Sequence, residues 1–142
     1  MLIGEYEHLI DDKNRLTLPA KFRQAFGDGA VLTRGIEPCV VAYRGQDWAR
    51  LVESRLSALD PLSKEARQLQ RHFFGGAAED VPDKQGRVTL PAHLIEHAAL
   101  GREVTVVGVH DHLEIWDRAA WRRQLEGGSV EDVAERLASR NG

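Results

Sequence analysis

Apolar and polar residues alternate at period two through "EYEHLI" (5–10), through "RLTL" (15–18) and again through "RVTL" (87–90). That is the pattern of strands with one buried face. "AVLTR" and "CVVAY" read as two further strands early in the chain, and "EVTVVGV" and "HLEIW" as two late ones. Between them, "AKFRQAF" and "AHLIEHA" read as short helices, with Pro19 and Pro91 in their first turns. A longer helix is expected from about Gln46 to Leu59, where Trp48, Leu51, Val52, Leu56 and Leu59 share one face. Pro61 and Ser63 open another helix, "KEARQLQRHFF", which ends at Gly75–Gly76. The chain closes on "SVEDVAERLASR", with Ser129 and Asp132 as a capping-box-like pair and Val130, Val133 and Leu137 as an apolar stripe.

These elements are one series written twice. At a spacing of 72 residues, Gly4 falls on Gly76, Glu7 on Glu79 and Asp11 on Asp83, and "RLTLPA" falls on "RVTLPA". Farther along, the spacing becomes 73: Gly35 falls on Gly108, Tyr43 on Trp116 and Trp48 on Trp121. The order strand, tight turn, strand, short helix, strand, strand, helix recurs, so the chain divides into copies at 1–72 and 73–142. A copy of this length buries only about 60% of its unfolded surface, so neither half is expected to be very stable alone.

Composition narrows the function. With 42% hydrophobic and 29% charged residues, the chain has the make-up of an ordinary globular protein. No apolar run approaches a membrane span, and "MLIGEYEHLIDD" turns acidic too early for a secretory signal. The single cysteine, Cys39, forms no internal disulfide framework and fits a reducing cytosol, as a small buried apolar residue. Net charge is −3, shared unequally: residues 1–72 carry 11 Lys/Arg against 10 Asp/Glu, and residues 73–142 carry 8 against 12. A nucleic-acid site must therefore be a local basic patch.

The repeated turns supply such a patch. "DDKN" and "DKQG" are turn sequences, and Asn14 and Gly86 occupy the same place. These are the two residue types that best tolerate positive φ. Asp11 and Asp83 are expected to structure the turns by accepting backbone N–H bonds and pairing with the Arg beyond. Arg15 and Arg87, with Lys13 and Lys84 beside them, would then be presented outward. A guanidinium offers a planar fork of donors suited to guanine edges or phosphate.

The tandem phrases "IDDKNRLTLPAKFR" and "VPDKQGRVTLPAHL", with "LEIWDRAAW" late in the second copy, resemble the MraZ family over about residues 1–125. One departure is Asn14, where the family's first turn usually has Gly. The resemblance implies an α+β fold, a pseudo-twofold duplicated AbrB-like swapped-hairpin β-barrel with peripheral helices. It implies a sequence-specific transcriptional regulator that binds short direct repeats in double-stranded DNA upstream of the division and cell-wall gene cluster. It further implies a ring-shaped homo-oligomer, a cytoplasmic, nucleoid-associated location, and no cofactor, membrane or small-molecule substrate. The DNA-facing residues it implies are Lys13, Asn14, Arg15, Lys84 and Arg87, with Lys21 and Arg23 as weaker candidates. The turn carrying Asn14 is expected to make more base-edge contact, and the second turn more backbone anchoring.

Two other readings compete. "HDH" (110–112) could suggest a metal site, but it sits at a predicted strand turn without a further ligand, so solvated turn residues are expected. Cys39 has no nearby His–Asp partner, and no Gly-rich phosphate loop or catalytic carboxylate pair stands out, so no enzymatic activity is expected. The other alternative is an oligomeric interaction protein of antitoxin-like type, whose main partner would dock on the apolar face of 129–140 or on Phe73–Phe74.

Overall fold

The computed structural model describes residues 1–141. Among these described residues eight strands form: β1 (Leu2–Leu9), β2 (Arg15–Thr17), β3 (Ala30–Arg34), β4 (Val40–Arg44), β5 (Ala78–Asp80), β6 (Arg87–Thr89), β7 (Glu103–His110) and β8 (His112–Asp117). Five α-helices lie around them: α1 (Gly45–Leu51), α2 (Lys64–Gly76), α3 (Ala92–Ala98), α4 (Arg118–Glu126) and α5 (Val130–Asn141). The class is α+β, with every strand pair antiparallel.

Strand pairing crosses between the copies. Six strands form one sheet in the order β1-β7-β8-β4-β3-β5, and β2 pairs with β6 in a second, two-stranded sheet. Exchanging β1 with β5, β2 with β6, β3 with β7 and β4 with β8 returns the same arrangement, so the duplication folds as a pseudo-twofold. The two central pairs, β4·β8 and β2·β6, each join a strand to its own counterpart. Period-two alternation sends Leu16 and Val88 inward from the small sheet, where they meet Leu32, Val40, Val106 and Ile115 of the large one. Leu18, Leu90, Phe26 and Leu94 are also at most 1% exposed in this core. Neither copy could assemble that core from its own strands.

Register corrects the alignment read from sequence. Ala30 pairs with Arg44 and Asp80, whereas Val104 pairs with Asp117 and His8. Since Asp117 and His8 are the counterparts of Arg44 and Asp80, Val104 is the counterpart of Ala30, at a spacing of 74. The second copy has extra chain before β7 and a tighter hairpin after it. Gly35 therefore belongs in the β3–β4 turn, where its N–H bonds Cys39 O at 2.9 Å, while Gly108 lies within β7 opposite Gly4. A Cβ on Gly108 would stand 2.5 Å from Ile3 N, so β1 can lie against β7 there only because that side chain is missing.

The helices depart from expectation in three places. "AKFRQAF" makes one 3₁₀ turn, Ala20–Phe22, because Phe22 N and Arg23 N bond residues three earlier and Gly27 and Gly29 follow at once. Pro19 and Pro91 stand just before their helices, with extended ψ, not within the first turn. The helix expected to Leu59 stays α-helical only to Leu51; Val52–Leu56 winds more widely, with Ser57 N bonding Val52 O at 2.8 Å. At α5, Ser129 Oγ accepts from Asp132 N at 3.2 Å, the forward half of the expected capping pair. Cys39 is 2% exposed, and burial pushes its thiol pKa up to about 12.

Gly108→Ala is expected to destabilise the protein by about 1–3 kcal/mol, the usual range for overpacking. Hydrogen exchange checks the cause: amides of β1 should lose protection before those of β4 and β8.

Candidate nucleic-acid interface

The turns between β1 and β2 and between β5 and β6 are built alike, atom for atom. Asp11 Oδ1 accepts from Lys13 N at 2.9 Å and from Arg15 N at 2.8 Å, and its Oδ2 accepts from Arg15 Nε at 2.8 Å. Asp83 Oδ1 accepts from Gln85 N at 3.0 Å and Arg87 N at 2.9 Å, and its Oδ2 from Arg87 Nε at 2.7 Å. Asn14 has φ 58° and Gly86 has φ 75°, so the shared left-handed position is real. Each turn thus has one Asp that accepts from two backbone N–H groups and from the Nε of the Arg beyond it.

The turns also hold each other. Leu18 N bonds Gly86 O at 2.9 Å, and Leu90 N bonds Asn14 O at 2.8 Å. The carbonyl of each left-handed residue therefore ends the other copy's short strand. Between these bonds Arg15 pairs with Thr89 and Thr17 with Arg87. With Leu16 and Val88 facing the core, both arginines stand on the opposite face, as diagonal neighbours roughly 7–8 Å apart at Cα.

Each Arg spends its Nε on Asp and keeps its two terminal nitrogens for other acceptors. Arg15 makes no further side-chain hydrogen bond among the described residues, whereas Arg87 Nη2 reaches Gln85 Oε1 at 3.4 Å. Both side chains are 29% exposed. Lys13, Asn14 and Lys84 are exposed at the turn tips. Of the two weaker candidates, Arg23 is brought to the second turn. Its Nε donates to Leu18 O at 3.0 Å, and its Cδ would lie 2.6 Å from a Cβ on Gly86. Arg23 overlies the backbone at 86, which gives Gly a reason there beyond φ. Lys21 is exposed in the 3₁₀ turn, and no side-chain hydrogen bond among the described residues ties it to either loop.

The turn carboxylates are held below the usual carboxylate range. For Asp11 the largest cause is the hydrogen bond from the Arg15 backbone N–H, with the Arg15 side chain adding to it. For Asp83 the Arg87 backbone N–H leads in the same way. A carboxylate with a depressed folded pKa stabilises the fold fully above its ordinary value of 3.8. That contribution is lost as pH falls through the depressed value.

Within the "HDH" stretch His110 is exposed and the Asp111 side chain is 45% exposed, so only His112 departs from the expectation of solvated residues. His112 has a side chain only 17% exposed, with Nδ1 2.7 Å from Asp111 Oδ1 and Nε2 3.4 Å from Glu114 Oε2. Burial is the largest single influence and opposes its protonation, but the hydrogen bonds and negative charges of Glu114 and Asp111 together outweigh it and raise the pKa. Its ring lies 5.1 Å from that of Tyr43, so the side chain is packed into the outer cluster around Tyr43 and Trp116. Phe74, 43% exposed, packs edge-on against Trp48 at 5.9 Å.

The chain matches a family profile described as "MraZ protein, putative antitoxin-like" twice, over residues 1–72 and 73–141. It is 44% identical to the transcriptional regulator MraZ of Caldicellulosiruptor saccharolyticus, over 96% of each chain. The MraZ regulator of Heliobacterium modesticaldum is 45% identical, again over 96% of each. That of Kocuria rhizophila is 50% identical, over 89% of this chain and 87% of its own.

Asp11→Asn with Asp83→Asn should lower stability at neutral pH and flatten its fall in acid. Urea midpoints measured from pH 7 to pH 3 check this; an acid limb as steep as wild type would show that other carboxylates set it.

Proposed function

The chain belongs to the MraZ family, and we propose that this transcriptional regulator grips DNA with the Arg-bearing turns of both copies. The observation that carries the proposal is the matched pair of turns. Two guanidinium groups, each oriented through Nε by its own Asp, stand on one face with their terminal nitrogens unspent or weakly spent. A planar fork so held reads a guanine edge or clamps phosphate with little ordering cost. Lys13, Asn14 and Lys84 at the tips add a local basic patch to an otherwise acidic chain.

The targets are short direct repeats upstream of the division and cell-wall gene cluster. Two arginines make few contacts, so one subunit binds weakly. A head-to-tail ring repeats the same turns in the same sense, which suits direct repeats, and the engagements combine through effective concentration. Asn14 and the uncommitted Arg15 favour base-edge contact at the first turn. At the second, the Gln85 contact and the overlying Arg23 favour anchoring on the backbone. The working location is the nucleoid in the cytoplasm. Among the described residues no helix is long and apolar enough to cross a membrane.

Arg15→Ala should reduce affinity for duplex carrying the repeats by roughly 5- to 150-fold per engaged site, from about 1–3 kcal/mol for a bidentate contact. Arg87→Ala should weaken binding and reduce the slope of log affinity against log salt by about 0.9 for each phosphate it no longer neutralises. Fluorescence anisotropy at several salt concentrations measures both, with circular dichroism and oligomer mass as controls. Equal affinity of the wild type for random DNA at physiological salt contradicts a specific regulator. Loss of fold in Arg15→Ala would assign the arginine to holding the turn.

A further inference from the structure

The pseudo-twofold places Arg118, the first residue of α4, on Gly45, the first residue of α1. Arg118 fills a built site. Its Nη1 donates to Glu103 Oε2 at 2.7 Å and its Nη2 to His8 O at 2.9 Å and Val104 O at 3.4 Å. Its Nε lies 3.5 Å from Glu7 Oε2, and the side chain is 16% exposed. The counterparts of Glu7, His8 and Val104 are Glu79, Asp80 and Ala30. Of the two carboxylates at Arg118, Glu7 has an acidic counterpart and Glu103 has Gly29, with Asp28 adjacent in sequence.

Where the second half holds a guanidinium, the first half has a groove of about 720 Å³. Asp28, Ala30, Gly45, Trp48, Glu79 and Asp80 line it. A Cβ on Gly45 would meet nothing within 4 Å. Among the described residues Asp28 and Glu79 form no ion pair, and the Asp80 carboxylate accepts only from Thr89 N, at 2.8 Å. One half of the molecule thus shows what the other half is shaped and charged to receive.

A complementary element lies in the same chain. Every described side chain of α5 from Val130 to Arg140 is exposed, including Val133 at 43% and Leu137 at 52%. A helix of 12 residues is marginal in water without a surface to pack on. Helical spacing sets Val133, Arg136, Leu137 and Arg140 along one face, joining apolar groups to two guanidinium groups. We propose that the groove receives an arginine side chain, Arg136 or Arg140, from the C-terminal helix of a second copy of this chain, with Trp48 and Val31 covering the apolar stripe. Such a contact joins unlike surfaces and is the head-to-tail kind that closes rings. It rests on the assembly proposed above and identifies what holds that assembly together.

The test measures the mass distribution of the full-length protein by sedimentation velocity over a concentration series. Gly45→Arg should fill the groove from within, as Arg118 does in the other half, and raise the dissociation constant between subunits at least tenfold while leaving the circular dichroism spectrum unchanged. Arg136→Gln with Arg140→Gln should weaken assembly likewise, and it leaves the barrel untouched if Gly45→Arg fails to fold. Assembly of both variants at wild-type concentrations overturns the groove contact while leaving the ring intact. A fall in Tm of the double variant with no change in mass would place the helix on its own subunit and also overturn it. A wild type that stays monomeric throughout removes the assembly itself. DNA binding by such a monomer would leave the turns as the reading site.

Discussion

Two hydrogen bonds decide the shape of this molecule: Leu18 N to Gly86 O and Leu90 N to Asn14 O. Each ties the left-handed corner of one copy to the end of the other copy's short strand. They require positive φ at both corners, because only that turn aims the carbonyl across the pseudo-twofold. Once they form, β2 and β6 lie antiparallel, Leu16 and Val88 enter the shared core, and Arg15 and Arg87 are left on the outer face. Folding and presentation of the arginines therefore depend on one constraint. The Asp of each turn serves both ends of it, fixing the corner through backbone N–H groups and the guanidinium through Nε.

Much of this was legible because the chain carries its own alignment. Asp11 with Asp83, Arg15 with Arg87 and the exchange of Asn14 for Gly86 stand at one spacing, and a tight turn leaves those types little freedom. The short strands were legible for the same reason, since period two fixes which face is buried. The alignment of β3 with its counterpart β7 was not legible. Extra chain before β7 is offset by a tighter hairpin after it, and strands of Val, Leu and Thr match equally well when slid by one. Only their pairing with β1 and β5 fixes it. The length of the first short helix was equally hidden, as the Gly27 and Gly29 breaks follow a run of good helix formers.

Sequence ranked lowest the site residue whose role arises between copies. Arg23 sits eight residues from Arg15 in sequence, yet it lies over the second turn, at Gly86. The signal available was that its counterpart is Ile95, a change of type inside a well-matched segment. Gly45 against Arg118 is the same kind of signal. In a duplicated chain, a position where one copy has a charged side chain and the other has none marks either a dispensable contact or a new partner. The two halves have diverged at such positions while the turns stayed alike.

Whether Arg15 and Arg87 face DNA is open to direct test by arginine-selective modification. The full-length protein would be treated with phenylglyoxal, alone and with duplex from upstream of its own gene, and labelled sites read by mass spectrometry. The duplex should protect Arg15 and Arg87 while exposed arginines such as Arg55 label at unchanged rates. Unchanged labelling of both turn arginines under saturating DNA, with protection elsewhere, would contradict the assignment.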